Sequence, residues 1–209
     1  MKITKQDLSQ KGSSKNLKKA QKWEKRMIEK GHYREHFFKA FADQINKLFD
    51  TPITVLEIGS GPGHLAERLI QTNKIKKYTL FDLSKSMHQI ASKRLNKYQS
   101  ITEYKVGSFL EKHCFEGLGQ YDVVVCMQSI HEVRDKTLAV EIYKNIINVI
   151  KLNGYFLVCD FVIGNPGMKD TGMYMTEAEQ KDTLLKSGFT SAKLITNQLG
   201  LTLYAAQKQ

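Results

Sequence analysis

From residue 53 onward, short runs of β-branched and aromatic residues alternate with segments in which apolar residues recur every three or four positions. This alternation is typical of a parallel sheet with helices on both faces, so the pattern predicts an α/β fold. The last two runs are joined by a link too short for a crossover helix, and their strands should pair antiparallel. The predicted strands span 53–58, 78–81, 103–106, 122–127, 155–163, 191–196 and 201–206.

Capping residues mark the ends of the intervening helices. Ser84 can cap one helix, and Asp135 can cap another, whose apolar stripe ends before Asn153-Gly154. Thr176 and Glu179 have the spacing of a capping box, which predicts the start of a further helix. The predicted helices in this part of the chain cover 64–71, 85–98, 136–152 and 177–187.

The residues before the first strand divide into two parts. Residues 1–19 are lysine-rich and lack an apolar pattern, so a flexible terminus is predicted. Residues 20–50 carry a dense aromatic and imidazole set with partial helical spacing, which predicts a helix docked on a domain formed by 51–209. The members of this set are Trp23, His32, Tyr33, His36, Phe37, Phe38 and Phe41.

Composition limits the class of protein. With 209 residues and 41% hydrophobic content, the chain can bury an ordinary single-domain core. Its apolar runs fall short of the roughly 20 residues that a membrane helix needs, and the N-terminal segment lacks the apolar centre of a secretory signal. A soluble, cytoplasmic protein is therefore expected. The three cysteines have no CxxC spacing, so neither a disulfide framework nor a metal site is predicted.

The net charge of +11 raises the question of an anionic partner, because clustered positive charge attracts nucleic acid and anionic membranes. Most of the basic residues are lysines scattered along the chain, which is equally typical of a solvated surface. Nucleic acid and membranes are therefore not expected as partners. The basic N-terminal segment keeps an RNA or protein substrate open as an alternative.

The strongest chemical signal is the loop Glu57-Ile58-Gly59-Ser60-Gly61-Pro62-Gly63, which joins the first strand to a helix. Glycines at this edge of a parallel sheet let a ligand approach backbone N–H groups. The spacing is GxGxG, and His64 stands where the dinucleotide pattern GxGxxG has its third glycine. Asp82 ends the second strand about 20 residues later, where a carboxylate can accept hydrogen bonds from ribose hydroxyls. A nucleoside ligand is predicted; a tight turn without a ligand and a nicotinamide oxidoreductase are the alternatives.

Five segments in register resemble the class I S-adenosylmethionine-dependent methyltransferases over residues 53–208. Besides the glycine loop, they are Phe81 to Met87, Tyr121 to Val125, Leu152 to Tyr155 and Leu184 to Phe189. The resemblance implies a Rossmann-like seven-stranded mixed sheet of order 3-2-1-4-5-7-6 with strand 7 antiparallel, helices on both faces and an N-terminal helical lid over 20–50. It also implies S-adenosylmethionine as the cofactor and S-adenosylhomocysteine as its product.

The same resemblance assigns the cofactor contacts. The loop backbone would lie against the methionine part, Glu57 near its amino group, Asp82 on the ribose, and Leu83 and Met87 on the adenine. The family often has an acidic residue for the adenine amino group, but this chain has Gly107-Ser108-Phe109, so the Ser108 hydroxyl or backbone groups would substitute. The full set is Glu57, Gly59, Ser60, Gly61, Gly63, Asp82, Leu83, Met87, Ser108, Phe109, Met127 and Gln128.

Chemistry at the acceptor is predicted around His131, which follows the fourth strand and is a candidate general base. Packing within its own loop is the alternative role. Glu132 could orient the imidazole or contact the acceptor. Arg134 could bind an anionic group, and a solvated side chain is the alternative. An N-terminal lid and an adaptable methionine-rich wall would supply further contacts. The expected acceptor-binding residues are Tyr33, His36, Glu132, Arg134 and Tyr174.

The sequence thus predicts an enzyme that methylates oxygen, nitrogen or carbon of a small-molecule acceptor by in-line displacement, as a monomer or homodimer. After the fourth strand it lacks the Asp/Asn-Pro-Pro-Tyr/Phe segment of amino-directed nucleic-acid enzymes and has Met127-Gln128-Ser129-Ile130 instead. Two alternatives stay open. One is an RNA or protein methyltransferase that uses the basic N-terminal segment, and the other is a non-catalytic S-adenosylmethionine-binding protein.

Overall fold

The computed structural model describes residues 17–31, 33–164 and 166–209. Most of the lysine-rich terminus predicted to be flexible, together with His32, lies outside the described residues. The α-helices in the described ranges are α1 (Leu17–Lys30), α2 (Arg34–Leu48), α3 (His64–Thr72), α4 (Lys85–Arg94), α5 (Ala139–Asn148) and α6 (Glu177–Lys186). The strands are β1 (Ile53–Ile58), β2 (Ile75–Asp82), β3 (Thr102–Val106), β4 (Tyr121–Met127), β5 (Ile150–Phe161), β6 (Ser191–Gln198) and β7 (Leu201–Gln207).

The seven strands form one sheet in the order β3-β2-β1-β4-β5-β7-β6, which confirms the predicted topology. The first five strands pair in parallel, and β7 runs antiparallel to both β5 and β6. In the centre of the sheet, Val55 of β1 lies between Tyr78 of β2 and Val123 of β4. The parallel strands therefore all end at the same edge, where the loops after β1, β2 and β4 come together.

Each face of the sheet is covered by its own apolar layer. Along β1, Val55 belongs to the layer shared with α2, α3 and α4, whereas Leu56 and Ile58 belong to the layer shared with α5 and α6. This division follows from the two-residue period of a strand, which sends successive side chains to opposite faces. The helix α1 packs against α4 and α2 packs against α3, so the N-terminal pair lies on the first of these faces.

The capping predictions for two helices are confirmed. The Ser84 hydroxyl accepts a hydrogen bond from the Met87 amide at the start of α4. Thr176 and Glu179 form the reciprocal bonds of a capping box at α6. The Asp135 cap serves a 3₁₀ turn, Lys136–Leu138, rather than the α-helix itself, which begins only at Ala139.

The prediction that Asn153-Gly154 ends a helix is wrong. The helix α5 ends at Asn148, and both residues lie inside β5. Asn153 takes a φ of 62°, a left-handed conformation that interrupts a strand as readily as a helix. Gly154 passes close to β4, because a Cβ there would lie 2.8 Å from the Asp122 carbonyl oxygen. At its other end, β5 stops at Phe161, two residues earlier than predicted.

The described residues contain no helix that is both long and apolar enough to cross a membrane. The thiols of Cys114, Cys126 and Cys159 are free, and the last two are buried within the sheet.

Candidate ligand-binding and active site

A cavity of about 390 Å³ lies at the edge where the parallel strands end. The N-terminal helices close it from one side, and the loops after β1, β2, β3 and β4 form the rest of its wall. It is lined by Trp23, Arg34, Phe38, Glu57, Gly59, Ser60, Gly61, Pro62, His64, Leu65, Asp82, Leu83, Ser84, Met87, Gly107, Ser108, Phe109, Leu110, Met127, Gln128, Ser129, Glu132, Val133 and Arg134. Of the predicted cofactor-binding residues, only Gly63 is absent from this wall.

The glycine loop brings its backbone to the cavity because its glycines take conformations that other residues avoid. Gly59 has a φ of 67°, and a Cβ at this position would lie 2.1 Å from the Ser129 hydroxyl oxygen. Gly61 has a φ of 53°, and a Cβ there would meet open space. Gly59 is therefore required by packing, whereas Gly61 leaves its side of the loop accessible to a ligand. Gly63 instead caps α3 in a left-handed conformation.

The carboxylate of Asp82 is held by backbone N–H groups. Gly61 donates to one of its oxygens and Ser84 to the other, both at 2.8 Å. Burial raises the pKa of Asp82, and these two hydrogen bonds oppose that shift. Each carboxylate oxygen retains acceptor capacity, so Asp82 can still receive hydroxyl donors from a ligand in the cavity.

Glu57 is a buried carboxyl at the cavity floor, with only 3% of the residue exposed. The Tyr78 hydroxyl donates a hydrogen bond to it at 2.8 Å. Burial raises the pKa of Glu57 to about 8, with Asp82 adding to the shift and the Tyr78 hydrogen bond opposing it. A cationic group placed beside Glu57 would therefore lower its pKa and stabilise the carboxylate.

An apolar wall follows Asp82 along the cavity. Leu83 is 39% exposed and is one of the few large apolar side chains that the described residues leave open to solvent. Met87, in the first turn of α4, and Phe109, in the loop after β3, line the same cavity. The Ser108 hydroxyl accepts a hydrogen bond from the Leu110 amide at 3.3 Å. This part of the wall can cover the face of a flat ring, with Ser108 at its rim.

Three buried polar atoms of the cavity wall have no hydrogen-bond partner among the described residues: Arg34 Nε, Ser60 Oγ and Gln128 Oε1. Gln128 has a φ of 54°, an unfavourable conformation for its residue type, and its amide nitrogen donates to the Tyr33 hydroxyl at 3.1 Å. Buried polar groups are normally paired, so these three atoms are available for hydrogen bonds to a polar ligand or to water in the cavity.

The N-terminal pair is fixed to the glycine loop by a cluster of ionic contacts. The carboxylate of Glu24 lies 2.7 Å from Arg94 Nη2 and 3.1 Å from His64 Nε2. Arg94 also donates to the Glu67 carboxylate and to the Pro62 carbonyl, both at 3.0 Å. One arginine of α4 thus joins α1, α3 and the loop between β1 and α3.

His131 lies beside the cavity but does not line it. Its Nδ1 is 2.5 Å from Asp160 Oδ1, and its ring contacts Phe161 edge-on and stacks on Tyr174. Burial lowers the pKa of His131, but the charge and hydrogen bond of Asp160 outweigh it, so the pKa is raised overall. The other ring nitrogen lies 3.7 Å from Glu132 Oε1. Asp160 was not singled out in the sequence, although it is an acidic residue near the end of a buried strand.

The other predicted acceptor-binding residues differ in their position relative to the cavity. Glu132 and Arg134 line the cavity, and Tyr174 covers His131. Tyr33 reaches the wall through Gln128. His36 does not reach it, and this expectation is corrected: its Nε2 is 3.2 Å from Thr196 Oγ1 of β6, on the exposed side of α2. The reason is helical geometry, because the same helix turns Phe37, Phe38 and Phe41 toward the sheet.

The sequence did not single out Trp23, Arg34 or Phe38 as cavity-lining residues, and Trp23 and Phe38 were expected only to dock the N-terminal helix. Their positions depend on where the N-terminal pair docks, which no local pattern specifies. An arginine at the start of a helix that otherwise buries phenylalanines was the available signal for Arg34.

A sheet of this order with a polar cavity on its glycine loop defines a Rossmann-like ligand-binding domain. Residues 31–180 match the family described as a methyltransferase domain, and the chain belongs to that family. The match covers the glycine loop, Asp82 and both His131 and Asp160.

Two curated proteins are similar to parts of this chain. A non-reducing polyketide synthase, prhL, of Penicillium brasilianum is 33% identical over 103 residues, which are 47% of this chain and 4% of that protein. O-methyltransferase 12 of Dictyostelium discoideum is 24% identical over 176 residues, 79% of this chain and 44% of that protein. The chain therefore spans a small part of the first relative and less than half of the second.

Among solved structures, magnesium protoporphyrin IX methyltransferase of Synechocystis, determined with bound S-adenosylmethionine, has the same fold. The TM-score is 0.65 at 12% sequence identity, and the likeness covers 84% of this chain and 80% of that one.

Proposed function

We propose that this protein is an S-adenosylmethionine-dependent methyltransferase that acts on a small-molecule acceptor. The observation that carries the proposal is Glu57, a buried carboxyl near the end of β1 that lines the cavity beside the glycine loop and accepts a hydrogen bond from the Tyr78 hydroxyl. Burying such a group is unfavourable unless a cation meets it. The amino group of S-adenosylmethionine is such a cation, and the resemblance to class I methyltransferases implies that Glu57 lies near it.

The remaining wall fits the same ligand. Asp82 can accept the ribose hydroxyls, and Leu83 and Met87 can cover the adenine, with Ser108 near its rim. The unpaired Ser60 Oγ and Gln128 Oε1 offer polar contacts beside the loop backbone. When bound, the cofactor supplies an electrophilic methyl group on a positively charged sulfur. The residues of this chain position it and exclude water from it.

His131 is proposed as the general base for the acceptor. Asp160 accepts from Nδ1 and thereby leaves Nε2 as the nitrogen that can take a proton. The Asp160 carboxylate also stabilises the imidazolium that results, which the raised pKa of His131 reflects. His131 is the neighbour in sequence of Glu132, which lines the cavity, and its second ring nitrogen lies 3.7 Å from the Glu132 carboxylate.

The acceptor class follows from the character of this side of the cavity. Arg134 supplies a positive charge to the wall, and Phe161 and Tyr174 pack around His131 beside the cavity. A histidine base suits an acceptor whose oxygen or carbon nucleophile must lose a proton. It suits an acceptor with a free amine less well. The two relatives, a polyketide synthase and an O-methyltransferase, support such an acceptor. The cytoplasmic location and a monomeric or homodimeric state remain predictions.

Thermal unfolding with candidate ligands tests the cofactor. S-Adenosylhomocysteine at about 100 times its Kd should add about 2.7 kcal/mol to the free energy of unfolding. For a chain of this size, this corresponds to a rise in Tm of roughly 5–10 °C. NAD should leave the Tm unchanged. A rise with NAD and none with S-adenosylhomocysteine would contradict the proposal and favour an oxidoreductase.

A matched pair of variants tests whether S-adenosylhomocysteine binds at the glycine loop. Asp82→Asn should weaken S-adenosylhomocysteine binding about 10-fold or more, because hydrogen bonds to a charged acceptor are lost. Asp182→Asn removes the same charge from an exposed ion pair on α6 and should leave the affinity unchanged. Equal affinities for the two variants would show that the ligand does not bind at the glycine loop.

A further inference from the structure

Arg134 lines the cavity, and the carboxylates closest to it in sequence are engaged elsewhere. The Glu132 carboxylate lies 3.7 Å from His131 Nε2. The Asp135 carboxylate accepts hydrogen bonds from the amide and the hydroxyl of Thr137, at 3.0 and 2.6 Å. Within the described part of the chain, the Arg134 guanidinium therefore has no carboxylate partner, and it is free to bind an anion that enters the cavity.

The backbone places Arg134 beside the proposed general base. Arg134 follows the 3₁₀ turn after β4, and its amide donates to the His131 carbonyl at 2.9 Å. The Lys136 amide donates to the Gly172 carbonyl at 3.0 Å, which joins this turn to the segment whose Tyr174 stacks on His131. Burial is the largest influence on the pKa of each of these two rings, and the charge of Arg134 lowers the pKa of both. Since charges act on a pKa only over a short range in salt solution, the guanidinium lies near both rings.

The backbone of Arg134 takes a conformation that its residue type rarely adopts. Its φ of 60° is left-handed, and glycine or asparagine would adopt it at a lower cost in free energy. Strained residues of this kind are concentrated at binding and active sites. An arginine that merely faced solvent would gain nothing here that glycine or asparagine lacks, so the strain favours a ligand for the guanidinium over a solvated side chain.

The chemistry of this position selects a carboxylate. A guanidinium presents two parallel N–H donors that match the two oxygens of a carboxylate. The nearby Glu132 carboxylate would repel a doubly charged phosphate more strongly than a singly charged group. We propose that Arg134 binds a carboxylate of the acceptor, so that the substrate is a small organic acid whose nucleophile is directed to His131. The inference rests on the proposed function, since it names the substrate class of the same site.

The test measures how the full-length protein, saturated with S-adenosylhomocysteine, binds the three isomeric hydroxybenzoates and the matching hydroxybenzamides. The Kd values come from NMR titration. At least one acid should bind about 3- to 10-fold more tightly than its amide, a modest factor because Arg134 is exposed to solvent. Arg134→Met should abolish this preference by weakening the acids alone. Arg134→Lys should keep part of it, because the charge remains but the paired donors do not.

A second readout follows the general base directly. A bound acid offsets the charge of Arg134, so it should raise the pKa of His131, measured by NMR titration of the ring proton. The matching amide should not change this pKa, and neither ligand should change it in Arg134→Met. A purely structural role of Arg134 would not produce this dependence on the charge of the ligand.

Lys136→Met is the matched control. It removes a positive charge two residues away from Arg134, but Lys136 Nζ pairs with the Glu179 carboxylate at 2.6 Å and does not line the cavity. It should leave the preference for the acids unchanged.

The inference is overturned if the wild-type protein binds acids and amides equally, whether or not Arg134→Met folds, or if Arg134→Met keeps the preference. Tighter binding of phenyl phosphate than of every hydroxybenzoate would assign the position to a phosphate and overturn it too. Failure of S-adenosylhomocysteine to bind would instead refute the proposed cofactor, and with it the function on which the inference rests.

Discussion

At the scale of single residues, the His131–Asp160 pair gives the most direct test of the proposed chemistry. Asp160 is 6% exposed and holds both the ring and the backbone amide of His131. Asp160→Asn removes the charge that raises the pKa of His131 and leaves the burial that lowers it. We expect the pKa of His131, measured by NMR titration of its ring proton, to fall from above to below the ordinary value for histidine.

Glu132→Gln is the control for this measurement, because Glu132 is the more distant carboxylate, 3.7 Å from the other ring nitrogen. It should lower the pKa of His131 less than Asp160→Asn does; the opposite order would contradict the assignment.

Because the pKa of His131 is raised in the folded state, its interactions stabilise the fold fully below the pKa of histidine in the unfolded state. This contribution is lost as the pH rises through the pKa of the folded state, which unfolding experiments at different pH values should show.

His131→Asn should lower kcat about 100-fold while leaving the Kd of S-adenosylhomocysteine nearly unchanged.

Residues differ in how far the sequence reveals their role. Asp82 and the glycines of the loop could be predicted, because their positions follow from one strand, one turn and a fixed spacing to the next strand. Asp160 could not be paired with His131 in advance, since His131 follows β4 in a short turn, Asp160 lies near the end of β5, and only the folded sheet brings them together. His36 was predicted to bind the acceptor because it belongs to the aromatic and imidazole set near the N-terminus. Its side chain points away from the cavity because it lies on the exposed side of the helix.

At the scale of elements, the N-terminal helices depend on the Glu24 cluster for their position over the cavity. Glu24 is partly buried and contacts Arg94 and His64, whereas Glu29 on the same helix is exposed. Glu24→Gln should loosen α1 by about 1 kcal/mol, because Arg94 keeps its contacts with Glu67 and Pro62. The backbone amides of α1 should then exchange with solvent roughly 5-fold faster, while those of the central strands should not change.

Glu29→Gln changes the same residue type on the same helix and should leave the exchange of α1 unaltered. Equal exchange rates in the two variants would show that the ionic cluster does not hold the helix. Because Trp23 adjoins Glu24 and lines the cavity, the affinity for S-adenosylhomocysteine should fall modestly in Glu24→Gln alone.

The ends of helices and strands differ in how well local sequence patterns predict them. The start of α6 could be predicted because the capping box is local and both of its bonds form. The boundary between α5 and β5 could not, because Asn153-Gly154 is as suited to a bend within a strand as to a helix end. Contact between Gly154 and β4 decides the case, and this contact exists only after the strands have paired.

At the scale of the whole molecule, the sheet order could be predicted in full because five segments in register resemble the class I methyltransferases, and that resemblance implies the order. Alternating elements and the final short link by themselves predict only an α/β sheet whose last two strands pair antiparallel. The docking of the N-terminal pair could not, since it rests on side chains far apart in sequence, such as Glu24 and Arg94. The surroundings of His131 are the least predictable part. They combine residues from the loop after β4, the end of β5 and the segment before α6, and no single motif contains them.

The net charge of +11 bears on whether the acceptor is a small molecule or a macromolecule. A cavity of about 390 Å³ lies within the range of small-molecule pockets, and its N-terminal wall begins at Trp23. Deletion of residues 1–16, which include four lysines, should therefore leave the Tm and the affinity for S-adenosylhomocysteine unchanged. Any binding of the full-length protein to RNA should be non-specific, weaken steeply with salt and fall on this deletion.

The competing interpretation predicts a different response to the same truncation. If the basic segment recruits an RNA or protein substrate, RNA or protein should be methylated by the full chain and lose methylation when residues 1–16 are removed. If the acceptor is small, methyl transfer to phenolic or enolic compounds should proceed equally with both chains, because the residues proposed to bind and deprotonate the acceptor lie in the cavity wall and beside it. Measuring transfer of a labelled methyl group from S-adenosylmethionine to both kinds of acceptor, with both chains, distinguishes the two interpretations.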